Sequence, residues 1–150
     1  MHGVTIRPFA PNDQDAARRL VLAGLGDHFG AIDETRNPDL DDIAATYVLP
    51  GHLFVVAERD GRVVGTGALV TEEPGVGRLV RMSVDRAERG RGIGRALVRH
   101  LIEAARSRGH RRLVVETNDD WHDAIGLYLA CGFTEEDRRD GEVHFALELD

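Results

Sequence analysis

Val80–Leu101 reads VRMSVDRAERGRGIGRALVRHL. An apolar run gives way at Asp85 to four charged residues and an alanine, and then Gly90, Gly92 and Gly94 stand at every second position, flanked by Arg89, Arg91 and Arg95. A helical pattern follows at once. Ile93, Ala96, Leu97, His100, Leu101, Ala104 and Ala105 recur at helical spacing, which predicts a helix from Gly92 to about Ser107, stopped by Gly109. A helix mouth exposes unpaired amides and partial positive charge. Glycine lets a ligand approach the backbone and allows positive φ. Arg89, Arg91 and Arg95 add charge without blocking that approach, so the stretch suits a phosphate-bearing ligand.

Two phosphate motifs fit badly. A P-loop needs a lysine, and all 19 basic residues of this chain are arginines. A dinucleotide fingerprint needs a small residue where Arg95 stands, and its glycines should directly follow the first strand of the domain. Here about 80 residues precede that strand. An NAD(P)-binding domain stays as a third option, separable by cofactor titration.

Outward from the glycine loop the elements are legible. RRLVVET (Arg111–Thr117) predicts a strand parallel to the one ending at Val84, joined by a right-handed crossover. HDAIGLYLACG predicts a helix stopped by Gly132, and FTEEDRR with EVHFALEL predicts a hairpin around Asp140-Gly141. Upstream, VTIRPF predicts the first strand, and Asn12 or Asp13 caps a helix running to about Leu25. GDHFGAIDETRNPDLDD reads as a loop, and Pro38-Asp39 opens a second short helix ending near Tyr47. Pro50-Gly51 marks a turn; HLFVVAER and RVVGTGALV pair around Asp60-Gly61, and GVGRLVRMSV follows the Pro74-Gly75 turn. The order βααβββαβαββ implies one α/β (α+β) domain over residues 1–150. It holds a mixed, mostly antiparallel sheet of about seven strands with helices on both faces.

Composition narrows the class. With 42% hydrophobic and 30% charged residues, the 150-residue chain reads as a globular domain with a real core. The net charge of −7 argues against general nucleic-acid binding. The charge is uneven. Arg78 to Arg112 holds eleven Arg against three acids, +8, while the rest holds eight Arg against 23 acids, −15. A basic block at the glycine loop suits a polyanion, and acidic remaining surface suits a cation. No long apolar run or signal pattern is present and Cys131 stands alone, so the reading is a cytoplasmic protein with no disulfide and no membrane span. The seven histidines form no ligand pattern, so no metal is expected.

Arg89-x-x-Gly92-x-Gly94, set between a strand and a helix, resembles the R/Q-x-x-G-x-G/A signature of the GNAT N-acetyltransferase superfamily. LVVETNDDWHDAIGLYLACGF resembles that family's second motif, ending in L-Y-x-x-x-G-F at Leu127, Tyr128, Gly132 and Phe133, and the element order from Val4 to Leu149 matches too. The resemblance implies an acetyl-CoA-dependent N-acetyltransferase acting on a small-molecule or peptide amine. It implies a cofactor set of Met82, Ser83, Val84, Arg89, Gly90, Arg91, Gly92, Ile93, Gly94 and Arg95. Main-chain groups of Met82 and Val84 would pair with pantetheine, and the amides from Arg89 through Arg95 would hold the pyrophosphate. The strands ending near Val84 and Glu116 would splay apart to admit the pantetheine arm.

The same resemblance gives Tyr128 as proton donor to the CoA thiolate and the Val84 amide as oxyanion donor. The base stays open between Glu116, at the splayed strand's end, and His28, Asp33 and Glu34 in the loop that shapes the acceptor site. Many relatives carry Asn where this chain has Trp121; Asn118, three residues earlier, is a candidate replacement as a pantetheine contact, and Trp121 is either a helix staple or a lid. The acidic loop before the second helix favours a cationic acceptor. Family members often form homodimers through C-terminal strands, and EVHFALELD offers a segment for that. The alternative in another class is an acyl-CoA-binding regulatory module without catalysis.

Overall fold

A computed structural model describes residues 3–29 and 37–149, the side chains of 27–29 excepted. Turn chemistry sets the strand pairing. Asp60 and Gly61 both take positive φ, 51° and 77°, as a two-residue hairpin between β2 (Leu53–Arg59) and β3 (Arg62–Glu73) requires. Asp140 and Gly141 repeat this, 54° and 77°, between β6 (Thr134–Arg139) and β7 (Glu142–Glu148). Gly75, at φ 84°, turns β3 into β4 (Val76–Val84). With β1 (Val4–Pro8) and β5 (Arg112–Asn118) the sheet has seven strands in the order β1-β2-β3-β4-β5-β7-β6. Only β4 and β5 run parallel, joined through α2 (Ile93–Ser107).

Helices cover both faces. The helix α1 (Gln14–Phe29) packs Ala17, Val21 and Leu22 against Phe54, Val56 and Ala68. On the other face α2, with α3 (His122–Ala130), covers Val55, Ala57, Leu79, Leu113 and Val115. β2 therefore buries neighbours on both sides, which explains its unbroken apolar run. α2 rests close on β3: a Cβ on Gly65 would stand 2.9 Å from Leu97, and one on Gly67 2.9 Å from Leu101.

Four expectations are corrected. The second helix is absent as such; a 3₁₀ turn (Pro38–Asp41) and a π-helical turn (Ala44–Val48) replace it. The Gln14 side chain bonds Leu40 O at 2.7 Å and Ile43 N at 2.9 Å, so backbone groups a helix would use are spent on α1. α1 continues beyond Leu25 to Phe29. Asp13 does not cap it, because its carboxylate turns back to the Ala10 amide (2.8 Å) and to Arg7 (2.7 Å). On α2 the buried stripe is Ile93, Leu97, Val98, Leu101, Ile102 and Ala105, with His100 exposed, so the buried face is rotated from the predicted one. At the C-terminal end β7 has both edges taken, by β5 and β6. The edge left open there, β6, carries five charged residues among six exposed ones.

β4 carries the feature that makes a site. Arg81 sits at φ 55°, and the register with β3 slips between Thr66↔Ser83 and Ala68↔Val80, a bulge. Three interactions hold it. Thr66 Oγ1 donates to Arg81 O at 2.8 Å; Arg81 Nε and Nη2 donate to the Asp39 carboxylate at 2.9 and 2.6 Å; Tyr47 OH donates to Asp39 at 2.6 Å. Burial disfavours the Asp39 charge, but the bonds from Arg81 and Tyr47 outweigh it and hold the carboxyl below the usual range. Burial and the bond to Asp39 push the Tyr47 phenol up to about 12.

A carboxyl with a lowered folded-state pKa adds stability above its unfolded value and loses it as pH falls through the lowered one. Asp39→Asn should therefore cost about 2 kcal/mol at pH 7, and the gap to wild type should close in acid, from about pH 4 downward. Thermal unfolding of both proteins across that range checks this; a gap that stays constant contradicts it.

Candidate active site

The parallel pairing of β4 with β5 lasts only for Val76↔Arg112, Gly77↔Leu113 and Arg78↔Val114. Beyond the bulge the strands part, and a cleft of about 690 Å³ opens between them. Along this half of β4 the amides alternate in direction. Asp85 N–H is spent on β3, at Val64 O (2.8 Å), so the Val84 amide and, two residues back, that of Met82 point away from β3, into the cleft. The Val84 carbonyl faces the same way and accepts from Arg89 Nε at 3.1 Å.

The loop at the cleft's mouth is built from local chemistry. Asp85 caps a 3₁₀ turn (Arg86–Glu88) through the Ala87 amide at 3.0 Å. Arg89 is extended, and Gly90 and Gly92 sit in the left-handed region at 81° and 86°, Gly92 as the N-cap of α2. The first helical bond of α2 is Ala96 N–H to Gly92 O, 3.0 Å, so the amides of Ile93, Gly94 and Arg95 precede it. Gly94 is different: it is helical, and a Cβ there would make ordinary contact with Leu127 at 3.4 Å and Val84 at 3.7 Å. Beneath the loop, buried Glu88 meets Arg59 Nε of β2 at 2.7 Å and Arg91 at 3.4 Å.

Most of the residues singled out in the sequence come together here. Met82, Ser83, Val84, Arg89, Gly90, Gly92, Gly94, Arg95, Glu116 and Tyr128 all line the cleft. Three do not reach its wall: Ile93 lies 1% exposed in the core, Arg91 turns to Glu88, and Asn118 ends β5 opposite Glu142. His28 stands in the last turn of α1 with its side chain outside the described residues, and Asp33 and Glu34 lie outside them altogether. Trp121, just before α3, lines the cleft. The sequence reading missed Val21, Gly24 and Leu25 of α1, along with Glu88, Asp123, Ala124 and Leu127. One signal was available for α1. Gly24 stands inside a helix, and a Cβ there would lie 2.9 Å from Ser83 Oγ; such glycines mark close approaches.

Tyr128 forms the inner wall, 4% exposed, its ring 5.7 Å from Phe133 and 5.8 Å from Phe145. Burial first, then the neighbouring Cys131 and Glu116, lift its phenol above the ordinary range, so it stays a proton donor at neutral pH. Glu116 is half-buried and its Oε2 is ion-paired with Arg78, which also bonds Glu72. Burial raises the Cys131 thiol, against the pull of Arg99 and Arg95. Among the described residues no group of three His, Cys, Asp or Glu is placed to hold a metal ion, and no helix is long and apolar enough to cross a membrane.

A helix mouth whose first amides lie outside the helical ladder, a strand edge freed by a bulge, and a buried phenol at the far wall form one continuous cleft. Residues 22–133 match the sequence profile of the Acetyltransferase (GNAT) family. The chain belongs to the GNAT family. It is 38% identical over 108 residues to human N-acetyltransferase 8B, an alignment covering 68% of this chain and 48% of that protein. The chain spans about half the length of the curated relatives it matches first. In fold, a GNAT acetyltransferase from Staphylococcus aureus Mu50 superposes with a TM-score of 0.89 at 22% identity, over 98% of this chain and 99% of that one. The PaiA N-acetyltransferase of Thermoplasma acidophilum, solved in complex with coenzyme A, gives 0.86 at 14% identity over 97% and 99%.

Two glycines of the GNAT loop should respond in opposite directions. Gly92→Ala forces a Cβ into the left-handed region and should cost about 1 kcal/mol. Gly94→Ala, helical and with room for a methyl, should be neutral or stabilise by up to about 1 kcal/mol. Denaturant unfolding of both variants tests this; equal losses would show that crowding, not dihedral angle, governs the loop.

Proposed function

We propose that this chain is an acetyl-CoA-dependent N-acetyltransferase that moves an acetyl group to the primary amine of a small molecule or peptide. One observation carries the reading: the cleft runs unbroken from the glycine-loop amides, along the Met82 and Val84 main chain, to the buried phenol of Tyr128. A thioester of CoA matches each part. Its pyrophosphate takes the amides from Arg89 through Arg95, and its pantetheine amides extend β4 as an added strand along Met82, Ser83 and Val84. Bound there, acetyl-CoA supplies an activated acyl carbonyl.

The chain's own groups then do three things. The Val84 amide faces the oxygen on which charge develops. Tyr128, held protonated, gives its proton to the departing thiolate. Glu116 lies where a proton from the amine is received, directly or through water. Trp121 and the C-terminal half of α1 close the acceptor's side of the cleft, where the acidic remainder of the surface favours a cationic amine. With a net charge of −7 the reading assigns no nucleic-acid partner, and the unpaired Cys131 suits the cytoplasm, where acetyl-CoA is available.

The test is a panel of amines with acetyl-CoA, followed by thiol release and by the mass of the product. Turnover with a product 42 Da heavier, the mass of ~one acetyl group in place of a hydrogen, supports transfer. CoA binding without thiol release would instead make the chain an acyl-CoA-binding module. Tyr128→Phe should lower kcat by about 10²-fold with the Kd for CoA within about twofold; undiminished turnover removes Tyr128 from the mechanism.

A further inference from the structure

We propose that His144 relays the amine's proton from Glu116, at the cleft, to Asp137, at the open edge of the sheet. The inference rests on the acetyl-transfer reading above.

The strand register supplies the path. Glu116 of β5 lies directly opposite His144 of β7, and His144 lies directly opposite Asp137 of β6. Directly paired residues share a face of the sheet, and adjacent strands stand about 4.8 Å apart. The three side chains therefore form one row across three strands. The alternate residues Val115, Val143 and Phe145 point into the α2–α3 core, which puts the row on the opposite face. Exposure along it runs 22% for Glu116, 20% for His144 and 51% for Asp137, so the row starts in the cleft wall and ends in solvent.

His144 has the chemistry for the middle place. Its Nε2 is shielded from solvent and has no hydrogen-bond partner among the described residues; Oε1 of Glu142, on its own strand, stands 4.0 Å away. An imidazole can accept a proton on one nitrogen and release one from the other. Glu116 needs such an outlet. Arg78 pairs with its Oε2, so the other carboxylate oxygen, Oε1, is the one that takes the amine's proton and hands it on. At the far end Asp137 is held ionised, chiefly by Arg139, and its charge attracts an imidazolium. The charged groups facing His144 are then Glu116 from β5, Asp137 from β6 and Glu142 from β7 itself.

The proton balance closes. An ammonium acceptor loses one proton before attack, to Glu116, then His144, then Asp137 and water. The C–N bond forms and the C–S bond breaks. The nitrogen's second proton replaces the one Tyr128 has given to the thiolate. Amide, free thiol and one proton in solution are the products.

The experiment compares wild type, His144→Gln, His144→Ala and Asp137→Asn, using acetyl-CoA and the best amine of the panel. His144→Gln should lower kcat about tenfold, with KM for acetyl-CoA and calorimetric Kd for CoA within about twofold, and should flatten the rise of kcat with pH. Millimolar imidazole should restore most of the loss in His144→Ala and none in His144→Gln, whose amide fills the space. Asp137→Asn should lower kcat two- to fivefold. Thermal midpoints and CoA affinity measured on the same samples separate relay loss from misfolding. Wild-type kcat and pH profile in His144→Gln would overturn the relay alone, as would a loss in His144→Ala that imidazole leaves untouched. A wild-type protein that releases no thiol from acetyl-CoA would overturn the relay together with the reading it rests on.

Discussion

The bidentate bond between Arg81 and Asp39 organises everything downstream of it. A β-strand that pairs with neighbours on both sides has no spare main chain to offer. Here Arg81 is held in a left-handed conformation that only glycine adopts readily, and the bulge it creates turns the second half of β4 away from β5. The strain is confined because Thr66 takes the Arg81 carbonyl and Asp39, itself held by Tyr47, takes the Arg81 side chain. What results is a pair of parallel strands zipped for three residue pairs and open beyond them. The main chain that faces the gap is ready to pair with something that is not protein.

Electrostatics then distinguish the two ends of the cleft. At the mouth, left-handed Gly90 and Gly92 turn the chain into α2 and leave its first amides outside the helical ladder, inside a segment whose formal charge is +8. At the far wall, burial keeps Tyr128 protonated, and Arg78 pairs with the Glu116 carboxylate. In the proposed reaction the buried phenol is the acid and the ion-paired carboxylate the proton acceptor, two roles set by different surroundings.

Local chemistry made much of this legible from the sequence. Asp60-Gly61 and Asp140-Gly141 named their hairpins because few other dipeptides tolerate two positive φ values in a row. The glycine loop announced the turn into α2 for the same reason, with Gly90 and Gly92 both at positive φ. What stayed hidden depends on distance along the chain. Arg81 reads as one more strand residue until Asp39, 42 positions away, is seen to hold it. Glu116 reads as an unpartnered carboxylate until Arg78, 38 positions back, is placed beside it. The helix expected near Tyr47 failed because Gln14 of α1 takes its backbone bonds, and the α1 residues of the cleft wall were missed because nothing local to Val21 or Leu25 tells of β4 beneath.

The most direct measurement is a crystal structure of the chain soaked with CoA. The account predicts the diphosphate within hydrogen-bond distance of backbone amides between Arg89 and Arg95, and the pantetheine laid antiparallel or parallel to β4 with its amides on Met82 and Val84. A diphosphate lodged elsewhere, or a pantetheine arm outside the gap between β4 and β5, would contradict it.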